Sequence, residues 1–507
     1  MNLIELFEPS LRGRAASPAL CFGETTLTFG DLDALSDSVA HALTERFGLT
    51  KGDRAAMYLG NCVELIVYYL ACLKVGAIVV PINILYREGE LAHMLTDAEP
   101  RVLLTDAERL GVLAGVRDRT DSLEHVILAS GSEAGTIAFE QLVSAGGAKP
   151  ESTNKVTGDD AALMLYTSGT TGRPKGAVLT HHNLASNIVA LLHCWQWAEQ
   201  DRFLLALPLF HIHGLCNGLH GALASGCMTF LMDRFQPHAA MNLLREQRCT
   251  LFFGVPTMYE RLLQAAEQGR NVPDGMRLYV SGSGPLSPET FARFREVFGQ
   301  EILERYGMSE TGMITSNLYA CPRGQGTVGK PRPGVSVRVV TDEGRLVEGD
   351  QAGEIQVRGP NVMKGYWRQP DKTADSFQDG WFRTGDLGRW DSLGRLIICG
   401  RAKELIISGG FNIYPQEVVN CLSAHPGVAE AAVVGVPDRV RGEMVKAYVV
   451  RREAELTADS LIAHCRGHLA SFKVPRSVAF VDSLPRNAMG KLQLDRLPDR
   501  DSLQPSR

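Results

Sequence analysis

Three things are missing from this 507-residue chain: a long uninterrupted apolar run, a cluster of basic residues and a closely spaced cysteine pair. A membrane-spanning helix needs about twenty consecutive apolar residues. The most apolar stretch, Leu65 to Ile82, contains Lys74, Gly76 and Pro81, and reads instead as a buried helix passing into a strand. With a net charge of −5 and no basic run, nucleic acid is not expected as a partner, so an anionic ligand must be met by local groups and not by a global field. The eleven cysteines, scattered from Cys21 to Cys465 without a C-x-x-C pair, read as reduced, mostly buried thiols of a cytoplasmic protein. The first eight residues, Met1 to Glu8, lack the basic flank and apolar region of a secretion signal. Internal repeats are absent too. Peripheral membrane association stays open, and nothing in the sequence determines the oligomeric state.

What is present is a chain too long for one core, 45% hydrophobic and 21% charged, which implies two or more globular domains. Up to about residue 160, helical and strand patterns alternate. Residues 27–31 predict a short strand leading to a helix capped near Asp31, residues 53–58 a strand, 63–75 an apolar helix and 77–81 another strand. Such alternation implies largely parallel sheet covered by helices. Residues 131–157 read as a connector of weak pattern. Further on, 182–192 predicts a helix, and 204–208, 251–255 and 278–281 predict buried strands ending in polar or glycine-rich turns, where α/β sheets gather ligands. After Tyr319, short strands such as 335–340 and 354–358 predict antiparallel sheet or barrel. Helices at 415–422 and 461–469 and strands at 428–436 and 447–450 follow. The expected fold is α/β: a large N-terminal domain (1–400) of mixed sheets flanked by helices with a small β-barrel-like part, a hinge (401–404), and a small mobile α+β domain (405–507) whose polar tail after Asp499 is disordered.

Between two predicted strands, 161–165 and 176–180, runs Tyr166-Thr-Ser-Gly-Thr-Thr-Gly-Arg-Pro-Lys-Gly176. Hydroxyls, glycine-freed backbone amides and one lysine are what a polyphosphate needs around it. In the ordinary P-loop a Gly-Lys-Ser/Thr run enters a helix; here Pro174 precedes Lys175 and a strand follows. A flexible linker would account for the composition but not for the closing Pro-Lys-Gly. Tyr306-Gly-Met-Ser-Glu-Thr311, after the predicted strand 301–305, offers an aromatic face for a purine, a glycine for close approach and a carboxylate for Mg²⁺. Asp386, after Thr384-Gly385, either accepts from both hydroxyls of a ribose or caps a turn. Lys491, in Pro485-Arg-Asn-Ala-Met-Gly-Lys491, would by itself be one more solvated lysine.

Taken together, these stretches resemble the adenylate-forming superfamily over nearly the whole chain, in particular malonyl-CoA synthetase-like and fatty-acyl-CoA ligases. The resemblance implies ATP, Mg²⁺ and coenzyme A as reactants. It puts Thr167, Ser168, Gly169, Thr170, Thr171, Gly172 and Lys175 around the phosphates, with Thr311 beside them and Glu310 on the metal. Ser283 and Gly284, in Ser281-Gly-Ser-Gly-Pro-Leu286, together with Glu304, Arg305, Tyr306 and Gly307, fall along the nucleotide and acyl pocket; Asp386 and Arg401 fall at the ribose or a phosphate. Lys491 matches the catalytic lysine that neutralises charge on the carboxylate and α-phosphate, and Thr167, Lys175, His211 and Glu310 complete the implied catalytic set. Lys403 falls on the hinge, and Ser408, Gly409 and Gly410 on the loop lining the CoA pantetheine tunnel. Two functional loops on one small domain imply that it alternates between half-reactions.

The implied reaction is ATP-dependent ligation of a carboxylic acid to CoA through an acyl-adenylate, releasing AMP and pyrophosphate. Phe210-His211 stands where amino-acid-activating relatives carry an aspartate, so an amino acid is not expected. His211 resembles the residue that orients the reacting carboxylate. His213 either meets a second substrate carboxylate, as in malonate-type ligases, or is an ordinary loop histidine. Those ligases carry an arginine on the helix after the Ser281 loop; the matching place holds Ala292, with Arg293 about 100° further round. Phe210, Cys216, Phe253, Val255, Met308 and Met313 are further pocket candidates. The expected acid is short or malonate-like. The alternatives are a medium- or long-chain fatty acid, a carrier protein in place of CoA, and a non-catalytic binding homologue.

Overall fold

The computed structural model describes residues 1–144, 146–147, 155–167, 174–269, 272–408, 411–487 and 491–498. The short apolar runs of the first half become strands of two large sheets. The eight-stranded sheet runs in the order Ile137–Ala138, His125–Leu128, Val102–Thr105, Arg54–Tyr58, Ile78–Pro81, Ala161–Thr167, Lys175–Thr180, Gly365–Tyr366. It is parallel as far as Ala161–Thr167 and closes in antiparallel pairs at that edge. In the nine-stranded sheet the parallel strands Ile302–Met308, Leu278–Ser281, Leu251–Gly254, Arg202–Leu205, Met228–Leu231 and Pro18–Phe22 are finished at both ends by antiparallel hairpins.

One core serves both sheets. Helix Val63–Val75 lies within it and is buried on every side from Leu65 to Val75, as a helix apolar all round must be. Its lysine, Lys74, is fully buried and held by Asp33 and Asp37, each oxygen 2.7 Å from Nζ. Both aspartates lie on helix Phe29–Glu45, which starts earlier than the pattern predicted. Thr28 is the N-cap and Asp31 completes a capping box from the third helical position, so residues 29–31 form a first helical turn instead of strand. The expected connector 131–157 contains a short strand, Ile137–Ala138, and a helix, Phe139–Ser144.

The later strands behave differently. Ser336–Val340, Gly353–Arg358, Trp381–Trp390, Phe377–Gln378 and Leu396–Arg401 form an antiparallel five-stranded sheet. A last five-stranded sheet uses Ile406–Ser408, Phe411–Ile413, Val428–Asp438, Gly442–Arg451 and Ser477–Phe480, with helices Pro415–Ser423 and Ala458–His468. Its two core clusters draw only on residues from Ile406 to Leu497. The whole is the expected α/β arrangement of a large N-terminal part and a smaller C-terminal one. Among the described residues no helix is long and apolar enough to cross a membrane. The tail after Asp499 lies outside the described residues.

Candidate active site

Strands Ala161–Thr167 and Lys175–Thr180 pair so that Thr167 faces Lys175. The two strands thus form an antiparallel pair; Ser168, Gly169, Thr170, Thr171 and Gly172, between them in the sequence, lie outside the described residues. Facing this pair is another, Ile302–Met308 with Gly312–Ser316, whose turn carries Glu310. Tyr306 and Gly307 are part of the strand, not of an exposed turn. A side chain at Gly307 would meet the carbonyl of Gly312, so this crossing requires glycine.

Thr167 Oγ1 and the Tyr366 hydroxyl each donate to Glu310 Oε1, at 3.1 Å. Lys175 Nζ lies 4.5 Å from the centroid of the Tyr366 ring. Burial raises the Glu310 pKa; burial, and then the charge of Lys372, lowers that of Lys175. A carboxylate that meets two hydroxyls and, among the described residues, no bonded guanidinium keeps lone pairs for a hard cation, and the oxygen donors fit Mg²⁺. Tyr366 carried no sequence signal. It arrives because the short strand Gly365–Tyr366 adds to the sheet edge beside Ala177 and Val178.

Asp386 is mid-strand and directly opposite Arg401, which removes the turn-cap alternative. The Tyr306 hydroxyl donates to its Oδ2 at 2.5 Å and Arg401 Nε lies 3.2 Å from Oδ1. Burial raises the Asp386 pKa, with Arg401 opposing it. Lys491 is brought to the same cleft from the C-terminal part. Solvent reaches its side chain, yet protein surrounds it closely enough that desolvation, and then the charge of Arg401, lowers its pKa. Asp386, Arg305 and Glu310 are the other charges it senses.

The third corner is built on an irregular helix that periodicity could not reveal, a π-helix over His213–Leu219. His213 is fully buried and the Ser283 hydroxyl meets its Nδ1 at 3.3 Å. Ser283 is held at φ +68, in the left-handed region that non-glycine residues rarely occupy. Burial brings His211 down to about 3 and His213 well below its usual value, so both rings are neutral. Arg305 is buried against Gly282, where a side chain would strike the guanidinium. Among the described residues its Nε and Nη2 have no hydrogen-bond partner, nor do His213 Nε2 and Ser281 Oγ.

Other expected positions scatter. Glu304 is buried with its pKa raised by burial to about 8, and accepts the Gly326 amide at 3.3 Å. Thr311 is buried and donates to the Gly312 carbonyl. Gly284 lies beside Pro256. Lys403 is exposed in the turn Ala402–Glu404, Ser408 is buried at a strand end, and Gly409 and Gly410 lie outside the described residues. Phe253 packs among Trp195, Trp197 and Phe203, which makes it core and not pocket lining. Arg293 pairs with Glu267, both partly exposed, which removes it from the acyl pocket.

The family model for the AMP-binding enzymes matches residues 7–367, and that for the AMP-binding enzyme C-terminal domain matches residues 417–491. A long-chain-fatty-acid–CoA ligase of Yersinia pestis is 33% identical, over 99% of this chain and 94% of its own. An oxalate–CoA ligase of Arabidopsis thaliana is 35% identical over 93% of each chain. Among solved structures, ATP-bound MatB from Rhodopseudomonas palustris superposes with a TM-score of 0.91 at 39% identity, covering 99% of both chains. With both parts of the chain matched at these identities, this protein belongs to the AMP-binding enzyme family, and is an acid–thiol ligase that works through an adenylate with ATP, Mg²⁺ and CoA.

Proposed function

We propose that the acid this ligase activates is a short dicarboxylic acid of malonate-like length, and that Arg305 reads the carboxylate that does not react. The carrying observation is a buried guanidinium whose Nε and Nη2 have no hydrogen-bond partner among the described residues. A buried charge without a partner is expensive, and a carboxylate that completes it offsets the cost; a fatty-acyl chain would leave it facing methylenes. Burial lowers the Arg305 pKa to about 9, which still leaves it protonated at neutral pH. His213 and Ser281 add uncharged donors on the same side, so the positive charge sought among the histidines comes from Arg305. The oxalate–CoA ligase relative acts on a dicarboxylate, whereas the Yersinia pestis relative acts on long-chain fatty acids, so Arg305 and not the similarity argues for the acid.

In this reading the reacting carboxylate lies near His211 and attacks the α-phosphate of ATP, with pyrophosphate leaving; the CoA thiol then displaces AMP. Lys491 neutralises charge growing on the phosphate oxygens, and Lys175 with Thr167 orients the leaving pyrophosphate. Glu310 is the residue that would hold Mg²⁺, which supplies charge neutralisation on the phosphate chain. Asp386 accepts from the ribose hydroxyls once Tyr306 yields a lone pair. Residues beyond Glu404 act as a small domain that turns about 401–404, first delivering Lys491 and then the Ser408 loop.

Malonate, methylmalonate, acetate, butyrate, octanoate and palmitate, scored by pyrophosphate and acyl-CoA, test the reading. The short dicarboxylates should exceed butyrate in kcat/KM. Arg305→Met should cost malonate about ten- to a hundredfold more than it costs butyrate, since a charged hydrogen bond is worth about 1.5–3 kcal/mol. Activity climbing from butyrate to octanoate with malonate inert would overturn it.

A further inference from the structure

A second cluster of ligating side chains stands apart from the adenylate cleft, between helices Pro415–Ser423 and Ala458–His468. One ligand atom from each of Cys421, His464 and His468 lies within 4.8 Å of the other two. The histidines are four residues apart on one helix, the spacing that presents two imidazoles on one face, and Cys421 comes from the helix opposite. Cys465 Sγ stands 3.9 Å from Cys421 Sγ.

Each ring has one nitrogen on a backbone carbonyl. His464 Nε2 donates to the Cys421 carbonyl at 3.0 Å, and His468 Nδ1 donates to the His464 carbonyl at 2.8 Å. A ring nitrogen committed to a backbone carbonyl carries the proton and leaves the other nitrogen's lone pair outward, the arrangement that fixes the tautomer of ligating histidines. A helix pair in a purely apolar core has no need of it.

We propose that Cys421, His464 and His468 form a three-ligand zinc site that ties these two helices of the C-terminal part together, with a solvent molecule completing the tetrahedron. One thiolate and two imidazole donors select zinc over Mg²⁺, which takes oxygen. The Cys421 thiol releases its proton as its thiolate binds, so loading liberates a proton into the medium. No bond is made or broken in the ligase reaction by this ion.

The test uses the full chain, stripped with chelator and kept reduced, without ATP or Mg²⁺. One equivalent of Co²⁺ should give the intense visible bands of a tetrahedral ion together with a thiolate-to-cobalt charge-transfer band, and Zn²⁺ should bleach both. Bound Zn²⁺ should also raise the Tm. Cys421→Ser and His464→Ala should each weaken binding by more than about 100-fold, beyond what loss of an outer partner costs. Cys321→Ser, which removes an exposed cysteine, should bind as the wild type does. If Cys421→Ser does not fold, His468→Ala, altering an exposed side chain, decides instead. Absence of the thiolate band at equimolar Co²⁺, or its persistence at full strength in His468→Ala, overturns the site.

Discussion

Lys491→Ala should depress acyl-adenylate formation by a hundredfold to a thousandfold or more, while thioester formation from supplied acyl-adenylate stays near the wild-type rate. Removing one preorganised stabiliser of transition-state charge costs about 3–4 kcal/mol. The side chain sits with Arg401 and Arg305 on one hand and Asp386 and Glu310 on the other, and burial lowers its pKa, so its ammonium is held where an incoming phosphate would replace lost hydration. Attack on the α-phosphate builds negative charge there; displacement of AMP by a thiol needs the CoA loop instead. Pyrophosphate exchange measures the first half-reaction and CoA consumption from acyl-adenylate the second. Equal losses in both would refute the alternation of the C-terminal part.

The largest structural effect should follow the loss of both acids around Lys74. Asp33→Ala combined with Asp37→Ala removes both anions that hold this fully buried ammonium and leaves, among the described residues, one hydrogen bond, to the Asp33 carbonyl at 2.9 Å. Stripping the partners from a buried charge costs about 3–5 kcal/mol. Adding Lys74→Met to the pair should recover most of that loss, because a buried ion triad replaced by apolar volume is often neutral. Urea unfolding of the three proteins checks this, and a double variant within about 1 kcal/mol of wild type would contradict it. The same cluster carries a pH dependence of known sign. Burial would raise the Asp33 pKa, but Lys74 and Arg12 outweigh it and hold it below the usual carboxylate range. Its stabilisation is therefore present at neutral pH and lost as pH falls through the depressed native value.

Local signals were legible wherever local chemistry sufficed. Val63–Val75 is mostly apolar and is buried from Leu65 onward; strands on both sides of the Thr167 to Lys175 stretch were legible, and only the structure shows that they pair. The start of Phe29–Glu45 was misplaced because a capping box reads as Thr-x-x-Asp, and an Asp alone draws attention from the Thr that caps. Arg305 was visible only as a neighbour of Tyr306 in a nucleotide motif, and Arg293 was weighed for the charge. Strand alternation and the absence of a side chain at Gly282 turn Arg305 inward, while Arg293 reaches Glu267.

By itself the sequence determined the fold class, the family and the reaction, since apolar periodicity, turn chemistry and the Thr167 to Lys175, Tyr306 to Thr311 and Lys491 stretches are contiguous in the chain. Only the tertiary structure decided that Tyr366 bonds Glu310, that the π-helix after Ile212 buries His213 neutral, that Arg305 is buried with two nitrogens unpartnered among the described residues, and that Cys421 faces His464 and His468. The physical reason is one of range. A motif records what one segment can do, whereas an unpaired charge or a ligand set is defined by which groups from distant segments are, or are not, within a few ångströms once the sheets and helices have packed.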